Sequence, residues 1–162
     1  MNDLVKPPMT GIVTPYLEYK TERVRQEWLQ GYGYDPDLKS RVAIHPAIYV
    51  IVLAAAHWFY RRTGKPATMT ELFRWRQEQR AYYPKEPGKL SVHQLGKGGD
   101  LRTKIEGLRW PVKREWESWI NGAFPYLSKS AVKTAKVHHI DNGAEHLHLQ
   151  AGSLEPTPAP IS

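Results

Sequence analysis

The sequence predicts an α+β domain, and three observations carry that reading. Residues 47–62 are apolar almost all round between Pro46 and Gly64, which marks a helix central to the core. Val112, Trp116, Trp119 and Ile120 recur at helical spacing, which predicts an amphipathic helix over 112–121 with its tryptophans packed inward. Lys136–Ile140 and Glu145–Gln150 read as two strands around a turn at Asp141-Asn142-Gly143.

The remaining elements follow in order. Residues 1–15 are expected to form an irregular arm, 16–150 a single domain, and 151–162, with three prolines, a flexible tail. Leu17, Val24 and Trp28 share a helical face that ends at Gly31, and residues 31–37 carry turn chemistry. Pro46 suits the first turn of the apolar helix. His57, within that helix, is expected to be a packed, hydrogen-bonded histidine rather than a ligand. Thr68-Met69-Thr70-Glu71 fits a capping box, predicting a helix over 69–83 that Pro84 and Pro87-Gly88 close. Leu101–Ile105 is expected as a short strand.

Composition narrows the chemistry. A chain of 162 residues, 41% hydrophobic and 24% charged, suits one globular domain with one core. It has no cysteine, so any metal must be held by nitrogen and oxygen ligands. The formal charge of +7 suits an acidic partner such as nucleic acid, an anionic cell wall or a membrane surface. No Lys/Arg block is long enough for a nucleic-acid arm, so nucleic acid is not the expected partner. The amino terminus lacks the apolar core of a secretory signal, and residues 47–59 fall short of the roughly 20 residues of a membrane span. The expectation is a soluble, unexported monomer.

Two stretches carry candidate chemistry. One is Ser91-Val92-His93-Gln94-Leu95-Gly96-Lys97-Gly98-Gly99-Asp100; the other is Glu145-His146-Leu147-His148. Catalytic zinc takes three protein ligands and leaves one position open. Glycines 96, 98 and 99 argue against helix between His93 and Asp100, whereas a strand broken by a glycine bend brings both side chains to one point. On a strand His146 and His148 share a face, so pattern alone offers both as ligands, while Glu145 points to the other side.

Ser91, His93, Gly96 and Asp100 resemble, in register, the Ser-x-His-x-x-Gly-x-Ala-x-Asp signature of the zinc D-Ala-D-Ala carboxypeptidases and phage L-alanyl-D-glutamate endopeptidases. Gly98 stands in place of the usual alanine. Glu145 and His148 resemble the Glu-x-x-His motif of the same family, and Arg74 with Gln79 its upstream arginine–glutamine pair. Leu147 and Leu149 replace the aromatics often found beside the last histidine.

The resemblance implies a small antiparallel sheet carrying a zinc site, packed against several helices. It implies His93, Asp100 and His148 as Zn2+ ligands, with His148 preferred to His146 because it keeps the three-residue step from Glu145. Glu145 would be the general base and Arg74 the group that holds a substrate carboxylate or developing oxyanion. Ser91 would steady His93 or the adjoining backbone. The implied activity is hydrolysis of an amide in the peptide stems of bacterial peptidoglycan, the role of a phage endolysin. A zinc-bearing binding module without turnover, or a basic nucleic-acid-binding protein, are the alternatives.

Overall fold

A computed structural model describes residues 14–125, 133–140 and 143–152. Strand β1 (Leu17–Tyr19) leads into helix α1 (Glu22–Gln30), and a hairpin of β2 (Tyr32–Asp35) and β3 (Ser40–Ala43) precedes α2 (Pro46–Thr63). Then come β4 (Ala67–Glu71), α3 (Arg76–Tyr82), a 3-10 turn at Val92–Leu95 and β5 (Gly98–Arg102). Helix α4 (Trp110–Ala123) and strands β6 (Ala135–His138) and β7 (His146–Gln150) complete the order. The class is α+β.

The main sheet has the order β1-β4-β5-β7-β6. Its β4-β5-β7-β6 portion is antiparallel, and β1 adds to β4 in parallel. Alternation along these strands divides the two faces. Leu101, Leu147, Leu149, Ala135 and Val137 are buried on the face that α2 and α4 cover. Asp100, Arg102, His138, His146 and His148, offset by one position, lie on the other face, because side chains on a strand alternate.

Helix α2 starts at Pro46, which needs no amide partner in the first turn, and ends at Gly64 in the left-handed conformation. It buries Ile48, Tyr49, Ile51, Val52, Ala55, Ala56 and Phe59. Helix α4 locks onto it through the Trp116 indole, which donates to the Ala55 carbonyl at 3.0 Å.

Several expectations need correction. Residues 67–71 are a strand, not the start of a helix, because Met69 is buried in the sheet between β1 and β5. The helix begins at Arg76 instead. Its first amides are met by carboxylates: Asp35 accepts from Arg76 N at 2.9 Å and Glu78 from Trp75 N at 2.8 Å. The helical face expected from Leu17 onward is split between β1 and α1, and the turn expected over 31–37 contains β2. The strand expected over 101–105 runs from 98 to 102, and glycine bends the chain before that strand rather than within it. His57 is exposed and rests against Tyr16, with ring centroids 5.0 Å apart. Trp116 is core, but Trp119 is 41% exposed. Of the predicted turn, Asp141 and Asn142 lie outside the described residues, as do the arm before residue 14 and the tail beyond 152. No described helix is long and apolar enough to cross a membrane.

Candidate metal centre

Sheet register assembles most of the site. Asp100 on β5 lies directly opposite His148 on β7, and Arg102 lies opposite His146. On the far side of β7, His146 faces His138 of β6. Cross-strand neighbours of this kind have Cβ atoms about 4.5–5.5 Å apart, so pairing alone brings Asp100 and His148 within bonding reach.

His93 arrives from outside the sheet. Ser91 Oγ accepts from His93 N at 3.2 Å and starts the 3-10 turn. Gly96 ends it with φ of 69°, and a Cβ there would lie 2.1 Å from the Ala43 carbonyl oxygen. Gly98 then lets the turn fold back onto β5, since a Cβ would meet Val92 at 2.9 Å and the His93 ring at 3.1 Å. Left-handed backbone and close approach both call for glycine.

His93, Asp100 and His148 are all buried, and one ligand atom from each lies within 4.8 Å of the others. The hydrogen bonds around them decide what the group can do. His93 Nδ1 is 2.9 Å from the Leu72 carbonyl, which can only accept, so Nδ1 carries a proton and, in the neutral ring, Nε2 presents its lone pair. That lone pair points at Asp100 Oδ1, 3.2 Å away. Gln150 donates its amide to the Gly152 carbonyl, which leaves its oxygen to accept from His148 Nε2 at 3.0 Å. In the neutral ring His148 Nδ1 is then also a lone pair, 2.9 Å from the same Asp100 oxygen.

Two imidazole lone pairs converging on one carboxylate oxygen repel unless a cation lies between them. Protons can fill that role in the absence of metal. Burial pushes the His93 pKa down, but the Asp100 carboxylate overrides this and the net shift is upward. Burial would raise Asp100, yet His93 and His148 together hold it well below the usual carboxylate value. A divalent ion meets the same demand with one particle. The two histidines already have their second nitrogens anchored, on Leu72 and Gln150, as metal-ligating histidines do. The group fits a metal ion with nitrogen and oxygen ligands.

His146 lies beside the group rather than within it. Its Nδ1 is 2.7 Å from the Ala144 carbonyl, and its Nε2 is 3.5 Å from Oδ2, the other oxygen of Asp100. His138 stacks on His148 with ring centroids 5.0 Å apart. Burial, then His148 and His146, pushes its pKa down to about 4, so it stays neutral near pH 7.

Arg74 reaches the same region. It donates to Glu71, to Gln79 Oε1 at 2.7 Å and to Ser91 Oγ at 3.4 Å, and its guanidinium lies over the Tyr82 ring. The Arg74–Gln79 pair is thus a direct hydrogen bond. Two clefts, of about 520 and 360 Å3, open over this face, and Arg74, Tyr83, His139 and His146 line both.

Glu145 lines the larger cleft but is not one of the three convergent ligands. Its side chain is fully buried, accepting from Lys113 Nζ of α4 and, at 2.7 Å, from Thr103 Oγ1. It stands just before β7, which begins at His146. The structure brings together His93, Asp100 and His148, with His146 and Arg74 nearby, and leaves the Glu145 carboxylate out. Gln150 and the Leu72 carbonyl went unrecognised in the sequence. Gln150 was legible by alternation, two positions after His148; the carbonyl leaves no mark in residue type. Comparison with protein-family models, curated proteins and solved structures finds no match.

Proposed function

We propose that the protein is a zinc-dependent peptidase acting on the peptide stems of peptidoglycan. The observation that carries this reading is the pair of oriented imidazole lone pairs meeting Asp100 beside an open cleft. Two histidines and a carboxylate are a usual ligand set for zinc with an open fourth position. Zinc held there supplies Lewis-acid activation of a water and of an amide carbonyl. The motifs around His93 and Asp100, and the Arg74–Gln79 pair, support peptidoglycan as the substrate through their family resemblance.

The chain's own residues divide the remaining work. Leu72 and Gln150 fix the two imidazoles, and Ser91 holds the turn that delivers His93. Arg74, braced by Glu71 and Gln79, presents its guanidinium to a carboxylate or a developing oxyanion. Of the groups able to accept a proton, His146 and Glu145 both line the larger cleft, and Glu145 is engaged by Lys113 and Thr103.

That engagement of Glu145 favours a second reading, a metal-bearing binding module without turnover. The two separate on one experiment. Zinc content is measured on purified protein and on His148→Ala, and both are incubated with purified peptidoglycan while released peptides are followed by mass spectrometry. The peptidase reading expects about one zinc per wild-type chain, released peptides, and loss of both in the variant. Zinc without released peptides supports the binding module, and wild type without zinc overturns both.

A further inference from the structure

The larger cleft has an imbalance of charge that the metal centre does not explain. Its carboxylates already have partners: Glu71 holds Arg74, Glu145 holds Lys113, and Asp100 faces the histidines. Its cations divide differently. Arg74 is paired, but Lys20, Arg102 and Lys104 line the same cleft and meet no carboxylate among the described residues. Arg102 is half-buried on the metal-facing side of β5, two positions from Asp100, and Lys20 and Lys104 are exposed. Tyr82 and Tyr83 form part of the wall.

From this we infer that the cleft beside the metal centre is an anionic subsite, with Lys20, Arg102 and Lys104 selecting substrates that carry more than one carboxylate. The inference rests on the peptidase reading and adds to it the charge of the substrate and the side on which that charge lies. Spacing argues for separate carboxylates over a single phosphate. Lys20 follows β1 and Arg102 lies on β5, with β4 between them, so their backbones stand about 10 Å apart at the usual strand separation. Cations set that far apart suit carboxylates about three residues apart on an extended chain, at roughly 3.3–3.6 Å per residue, better than one compact anion. In a cleft walled by tyrosines these charges are less screened than on open surface.

The test compares a tetrapeptide bearing two free carboxylates with its bis-amide, using zinc-loaded wild type and the double variant Lys20→Glu/Lys104→Glu. Both substitutions are at exposed positions, and unchanged zinc content and melting temperature establish that the variant is folded. Hydrolysis is followed for both peptides. Binding of their N-methylated, uncleavable forms is measured by calorimetry, so charge preference is read even without turnover. Wild type is expected to favour the dicarboxylate by about tenfold, the scale of two or three partly exposed ion pairs. The preference should weaken with added salt and fall at least about threefold in the double variant, which keeps Arg74 and Arg102. Equal binding of the two peptides by wild type, or an undiminished preference in the folded variant, overturns the inference. Absence of hydrolysis with the binding preference intact counts against the peptidase reading and for the anionic subsite.

Discussion

Asp100 has two carboxylate oxygens, and the structure uses them differently. Oδ1 meets the lone pairs of His93 and His148, and Oδ2 faces His146. Substituting Asp100→Asn removes the anion but supplies an N–H that an imidazole lone pair can accept. We expect the variant to lose at least about a hundredfold in zinc affinity, since a neutral amide is a poor replacement for a carboxylate ligand. Its metal-free melting temperature should stay near that of metal-free wild type. Zinc titration and thermal melting check the two halves, and wild-type zinc affinity in Asp100→Asn would remove the centre as described. At this scale the sequence was readable where residue type carries the chemistry. His93, Asp100 and His148 converge as the motif resemblance implies. Glu145, three positions from His148 and just before β7, is met by Lys113 and Thr103, partners that no spacing in the sequence records.

The elements were legible where local and tertiary preferences agree. Helix α2 runs from its proline to its glycine as the pattern predicts, and so in outline do α4, β6 and β7. They diverge at β4, where Thr68 and Glu71 imitate a helix cap. Pairing of Met69 with both neighbouring strands overrides that local signal, and nothing local records the pairing. Asp35 is a second long-range device. From the β2–β3 hairpin its carboxylate accepts from the amides of Arg76, Asp37 and Leu38, tying the hairpin to the start of α3. Burial alone would raise its pKa, but these amides win and lower it. Its stabilising contribution is therefore present above the ordinary carboxylate value near 3.9 and is lost as pH falls through the lower folded value. Asp35→Asn should cost about 1–3 kcal/mol at pH 7, the worth of hydrogen bonds to a charged group. The gap to wild type should close in acid, as urea titrations from about pH 7 to pH 2 would show. A gap independent of pH would rule out the charge as its source.

For the whole molecule, the Lys113–Glu145 pair joins the sheet to α4 through the core, with both side chains shielded from water. Breaking such a pair from one side leaves a buried charge and costs about 3–5 kcal/mol, whereas replacing both partners by apolar groups is often neutral. Glu145→Gln should be strongly destabilised in urea, and the double variant Lys113→Met/Glu145→Leu should recover most of the loss. Both should still bind zinc as wild type does. A Glu145→Gln protein of full stability that fails only in hydrolysis would instead restore Glu145 to the reaction. At this scale the α+β class was legible, whereas the order of elements before α2 was not. The ion pair from α4 to Glu145, just before β7, was not legible either, because Lys113 looks in sequence like any helix-surface lysine.

The pairing of Asp100 with His148 spans 48 positions of chain, with the whole of α4 between. Closing so long a loop is a slow step, and its entropic cost falls before any contact forms. An ion has no complete set of ligands until β5 and β7 have zipped together, so it cannot hasten the early search. Its influence falls on the return journey: a bound ion clasps the strands whose separation opens the molecule, and it lengthens the lifetime of the native state more than it shortens the time needed to reach it.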